Sequence, residues 1–176
     1  MLLGGLVPSL CDFSVKKKND EIPADQGETL QTSEENMEGM DVGCLRILRF
    51  DEQDLDSIPD VPLQPQAQEL YLDNNRILRV ESLRLASFGN LSVLSLTRNR
   101  LKSLEGLHVL RGLRHLDVSH NHVTAIKGLE ALEYLQSLSI AHNKVFKLAS
   151  LRMLTFNSRL TVTDMRGNLI ERDPNY

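Results

Sequence analysis

The sequence predicts an α/β fold: a right-handed solenoid of about six coils, each giving one short strand to a parallel concave sheet and returning through a short helical or 3₁₀ segment on the convex side. Three observations carry this. An apolar slot recurs at Leu45, Ala67, Leu91, Leu113, Leu135 and Leu160, in steps of 22, 24, 22, 22 and 25 residues, a period that marks a repeat array. Each slot is followed by an alternating apolar pair, Leu48/Phe50, Leu70/Leu72, Leu94/Leu96, Leu116/Val118, Leu138/Ile140 and Thr163/Met165, which is the pattern of a half-buried strand. An amide then stands at a fixed offset: Gln53, Asn75, Asn99, Asn121, Asn143 and Asn168.

In chain order, residues 1–41 come first. They hold Lys16, Lys17 and Lys18 against nine acids. The stretch 20–40 is polar and lacks an apolar period, so it cannot bury enough surface to offset the entropy of ordering it. We expect an acidic, mostly disordered tail over 1–41 and a repeat domain over 42–176. The apolar stretch 1–11 contains Pro8 and lacks a basic start, which predicts neither a signal peptide nor a membrane helix.

Within each coil the period changes after the amide. Leu101, Leu104, Leu107, Leu110 and Leu113 are spaced by three, as are Val123, Ile126, Leu129, Leu132 and Leu135, a spacing that suits a tight 3₁₀-like return. The longer steps place extra residues near 87–89 and 157–159, on the return side, where they disturb the sheet least. The amide slot has its own mechanism: where strand turns into return, backbone groups lose their ladder partners, and an inward amide can both donate and accept there. Gln53 is one methylene longer, which predicts a looser first coil.

The runs 99–107 (N-R-L-K-S-L-E-G-L) and 121–129 (N-H-V-T-A-I-K-G-L) resemble the N-x-I-x-x-I-x-G-L signature of leucine-rich repeat proteins, in their short intracellular, phosphatase-regulator-like subclass. The resemblance covers residues 44–176 and extends into 165–176, which is similar to the opening of that family's C-terminal cap, cut short at Tyr176. It implies an interaction scaffold. Members include a regulatory subunit of type 1 protein phosphatase, an axonemal dynein light chain, a spliceosomal protein and many centrosomal and ciliary proteins. Two cysteines, Cys11 and Cys44, cannot build the cysteine-rich caps of secreted arrays, which points to a reducing, cytoplasmic location. Asn90, Leu91 and Ser92 match a glycosylation acceptor, inert in that compartment.

Charge divides the chain. Residues 67–176 hold 15 basic against 10 acidic side chains, whereas everything before them is acidic. On the concave face the expected partner-binding residues are Tyr71, Ser95, Thr97, His115, Asp117, Ser119 and Ser139. On the strand-to-return edge they are Arg76, Arg98, Arg100, His120, His122, His142 and Lys144, which successive coils would align into a basic ridge. Such a surface suits an acidic or helical protein segment, and the acidic stretch 20–41 could compete for it.

No catalytic, cofactor or metal site is expected. Strand alternation sends Asp117 and Ser119 to one face and His120 toward the edge, unlike a triad. The histidines lack zinc spacing, and no glycine loop for phosphate is present. Nucleic acid is disfavoured because the basic residues lack interleaved surface aromatics. The expected function is a protein-binding scaffold of a cytoskeletal, ciliary or centrosomal assembly; the alternative is a regulatory or assembly subunit of a phosphatase or of a nuclear ribonucleoprotein particle. Self-association through the uncapped C-terminal coil is a further expectation.

Overall fold

The computed structural model describes residues 12–14, 46–59 and 65–172. Seven three-residue strands form one parallel sheet in sequence order: β1 (Asp12–Ser14), β2 (Ile47–Arg49), β3 (Glu69–Tyr71), β4 (Val93–Ser95), β5 (His115–Asp117), β6 (Ser137–Ser139) and β7 (Val162–Asp164). Six of these are the strands of the repeat. β1 is additional, and lies in the stretch 1–41 where the sequence carries no repeat signal; it pairs Phe13 with Leu48. The rest of that stretch, with Cys11, the lysine run and the segment 20–41, is outside the described residues, as are Cys44, Leu45 and residues 173–176.

The register is strict because each strand points one side chain inward. Leu48, Leu70, Leu94, Leu116 and Leu138 are stacked partners, and Thr163 continues the column. The five leucines are at most 3% exposed, and complete burial of each contributes about 1.5–3 kcal/mol. The ladder runs past the strands: Leu72, Leu96, Val118 and Ile140 each donate their amide N–H to the next coil, at 2.8–2.9 Å.

Returns are mostly turns. The step of 24 residues holds the helical turn α1 (Ser82–Leu85) and the fully buried Phe88, while that of 25 holds the 3₁₀ segment Leu148–Phe156. Shorter 3₁₀ segments lie at Leu107–Val109 and Leu169–Arg172. The three-residue period is the inward row of these returns: Leu101, Leu104, Leu107, Leu110 and Leu113 are all buried. At Gly106, φ is 103° and a Cβ would stand 2.3 Å from the Val80 carbonyl oxygen. The glycine of the signature is thus where two returns touch backbone to backbone.

The amides form a second ladder beneath the turn. Asn121 accepts from the Leu101 N–H through Oδ1 at 2.9 Å and donates through Nδ2 to the carbonyls of Leu96, Val118 and Ser119. Asn75, Asn99, Asn143 and Asn168 repeat the scheme. Each reaches back to the preceding coil, so the amide side chain fastens one repeat to the one before it.

Candidate functional site

Alternation sends two side chains of each strand, and the one after the next buried position, toward the concave face. Many of these polar groups are used inside the array. Asp73 Oδ1 accepts from the Ser95 hydroxyl and the Thr97 N–H of the next coil, both at 2.7 Å, while the Asp73 N–H donates to Asp51 Oδ1 at 2.8 Å. Asp117 Oδ1 accepts from the Ser119 N–H and hydroxyl, at 2.9 and 2.5 Å, and the Ser119 and Ser139 oxygens are 2.6 Å apart. Ser95 and Ser119 are each only 8% exposed. They are tie points between coils, presenting little surface to a partner. His115 is exposed, and Tyr71, Thr97, Asp117 and Ser139 are half-buried around it.

The first coils hold a second cluster. The Arg49 guanidinium lies 4.0 Å above the Tyr71 ring and the Tyr71 hydroxyl donates to Glu69 at 2.8 Å, a cation–π contact between neighbouring coils. Burial, then the bond to Glu69, pushes the Tyr71 phenol above its ordinary value. Burial likewise raises Asp51. At the far end the order reverses: Arg166 donates to Asp164 at 2.9 and 2.7 Å, and these bonds hold Asp164 down at about 2 and raise Arg166.

Along the strand-to-return edge all seven expected residues are exposed and aligned. Arg76 is engaged by Asp54 at 2.9 Å. Arg98, Arg100, Lys102 and Lys144 have no carboxylate in salt-bridge reach among the described residues. The same edge is acidic in the first coil, at Glu52, Asp54 and Asp56. The rings of His120 and His142 stack at 4.4 Å and 15°.

A backbone device underlies this edge that the repeat pattern alone does not display. The residue before each amide adopts positive φ: Glu52, Asn74, Arg98, His120 and His142 at 52–59°, and Gly167 at 71°. A left-handed residue turns the chain sharply and throws its side chain outward, at a cost of about 1–2 kcal/mol when it is not glycine. The clue was Gly167, alone in holding the glycine this position favours.

The Asp117, Ser119 and His120 side chains make no nucleophile–base pair. Ser119 bonds to Asp117 and Ser139, while the His120 ring lies against His142. Among the described residues no three His, Cys, Asp or Glu converge as metal ligands, and no helix is long and apolar enough to cross a membrane.

A family model for the leucine rich repeat matches residues 65–123. The fold is that of a leucine-rich repeat solenoid. Solved structures agree on the fold. An internalin, InlF, from Listeria monocytogenes is similar over 70% of this chain and 42% of its own, with 19% identity and a TM-score of 0.54. The functional domain of InlJ from Listeria monocytogenes, described as including a cysteine ladder, is similar over 70% of this chain and 25% of its own, with 22% identity and a TM-score of 0.57. The chain thus spans less than half the length of either. No curated protein matches the sequence. The repeat array here carries no cysteine after Cys44; asparagine fastens its coils.

Proposed function

We propose that this leucine-rich repeat array is a protein-binding scaffold whose uncompensated cationic edge holds an acidic segment of its partner while the concave face around Tyr71 and His115 receives the adjoining part. The observation that carries the reading is the run of exposed Arg98, Arg100, Lys102 and Lys144 without carboxylate partners among the described residues. Coils stacked about 4.8 Å apart add these charges into one field. The array as an interaction module agrees with the general use of this fold; the partner, and the short intracellular subclass with its C-terminal cap, are our reading of the motif.

We place the protein in the cytoplasm, on a cytoskeletal, ciliary or centrosomal assembly, on the strength of the family resemblance and the sparse cysteines. Reversing the ridge with Arg98→Glu, Arg100→Glu and Lys144→Glu, followed by proximity labelling in cells, tests both statements. The expected result is loss of the principal neighbours, with cytoskeletal proteins among those lost. Retention of the same neighbours removes the ridge from the reading. Recovery of a phosphatase catalytic subunit or of spliceosomal proteins moves the function to a regulatory or assembly subunit.

Self-association through the last coil belongs to the same proposal. Val162 and Leu169 there, and Phe156 on the return leading into it, are 59%, 42% and 61% exposed, an apolar rim that a second copy would cover. Sedimentation of the wild type against Val162→Lys decides it: a dimer lost in the variant supports the contact, and a monomer in both removes it.

A further inference from the structure

The opposite edge of the sheet, where the chain enters each strand, holds a hollow of about 500 Å³ between the coils of β3, β4 and β5. Gly89 and Gly112 form part of its wall, together with Gln66, Gln68, Asn90 and Arg114. Neither glycine is demanded by the backbone. Both lie outside the positive-φ set; a Cβ on Gly89 would meet nothing within 4 Å, and one on Gly112 only the Leu91 carbonyl oxygen at 3.8 Å. In the following coils Tyr134 and Arg159 stand where Gly112 does, directly before the first apolar slot, with the guanidinium 4.6 Å from the ring. The hollow therefore has room beside Gly89 and Gly112 that a side chain at either position would enter without a backbone clash.

Its chemistry is one-signed. Asn90 Nδ2 is committed to the Pro65 carbonyl at 2.6 Å, and the Ser92 hydroxyl to the Gln68 carbonyl at 3.0 Å. The Arg114 guanidinium is exposed and has no hydrogen-bond or ion-pair partner among the described residues, and the amide groups of Gln66 and Gln68 are likewise unengaged. Among the described residues no carboxylate and no aromatic ring lines the space, which argues against a cation and against a stacked sugar or base. One guanidinium offers a planar fork that fits a carboxylate or a phosphate through two parallel N–H bonds, and its single charge balances the single charge of a carboxylate.

We infer that this hollow is a carboxylate pocket, taking the side chain of a Glu or Asp from a protein segment on the concave face, with Arg114 as the fork and the Gln66 and Gln68 amides beside it. Arg114 adjoins His115 of β5, so the pocket continues the concave face at its entry edge. The inference rests on the scaffold reading and adds a defined anchor to it.

Titrating the full chain with acetyl-Gly-Glu-Gly-amide, while following the Gly89 and Gly112 amide signals by NMR, tests it. The glutamate peptide should shift both signals saturably and its glutamine counterpart should not. Arg114→Gln should weaken binding by about tenfold or more, the scale of one charge-assisted pair. Gly112→Val should abolish binding while leaving the remaining spectrum in place, because the space it fills is empty. Equal shifts from the glutamate and glutamine peptides overturn the pocket. So does tighter binding of inorganic phosphate, and so does a response only to the free terminus of triglycine. Ridge reversal that strips the partners while the glutamate peptide fails to bind defeats this inference alone; peptide binding with partners indifferent to ridge reversal defeats the scaffold reading alone.

Discussion

The central coils and the last coil follow one template but finish differently. In the coils of β4, β5 and β6 the apolar pairs Leu94/Leu96, Leu116/Val118 and Leu138/Ile140 are at most 2% exposed. In the coil of β7 the pair is Thr163/Met165; Thr163 is exposed and Met165 half-buried. The amide does not follow that trend: Asn121 and Asn168 are 3% and 4% exposed, and both bridge to the coil before them. The difference teaches what each column needs. A leucine needs neighbours on both sides to be sealed from water, whereas the asparagine finds its cross-coil partners behind it. Fastening therefore survives to the end of the described array and sealing does not.

The largest expected effect tests sealing. Leu116→Ala removes a side chain packed from both sides and should cost about 2–5 kcal/mol, read as a lowered denaturation midpoint. Met165→Ala removes one packed from a single side and should cost less than about 2 kcal/mol. Equal losses would break the comparison, since they would mean that something covers β7 in solution. A loss at Met165 that grows with protein concentration would identify the cover as another copy.

Fastening gives the next effect. Asn121→Ala strands the Leu101 N–H and takes one of two donors from the carbonyls of Leu96, Val118 and Ser119, and should cost about 1–3 kcal/mol. Asn168→Ala strands the Val145 N–H and the Met165 carbonyl, the Ile140 carbonyl keeping Asn143 as a donor, and a similar loss is expected although its coil is less sealed. A negligible loss at Asn168, with a full loss at Asn121, would show that the amide depends on the coil after it as well.

The framework was legible because it recurs: one spacing, read six times, places Leu94, Leu116, Asn99 and Asn121 without reference to any atom. What recurs only as geometry was not. The left-handed corner is filled by Asn74, Arg98, His120 and His142, residues with no shared chemistry, and only Gly167 hints at the backbone beneath them. The burial of two concave residues was hidden for a related reason. Strand alternation states which way Ser95 and Ser119 point, but not that Asp73 and Asp117 capture their hydroxyls; such pairing depends on rotamers and on the neighbouring coil. The hollow at Gly89 and Gly112 escaped notice since an unneeded glycine looks, in a sequence, like any other loop glycine.

The smallest expected effect compares the two ends by pH. In the coil of β7, hydrogen bonds from Arg166 hold Asp164 at about 2. The unfolded chain, with an ordinary carboxylate, takes up its proton first as pH falls. The ion pair's contribution is therefore complete above about pH 4 and is lost between about pH 4 and pH 2. In the coil of β2, burial raises Asp51, so there the folded chain binds the proton first, and stability rises as pH drops through that raised value. Melting temperatures of the wild type, Asp164→Asn and Asp51→Asn, measured from pH 6 to pH 2, separate the two. The wild-type advantage over Asp164→Asn should shrink toward pH 2, and the difference from Asp51→Asn should move the other way at higher pH. Arg166 is exposed and Asp164 half-buried, so the first drift should be small beside the loss at Leu116, and added salt should reduce it. Parallel drifts in the two variants would show that the opposed environments of the two ends do not govern how the array responds to acid.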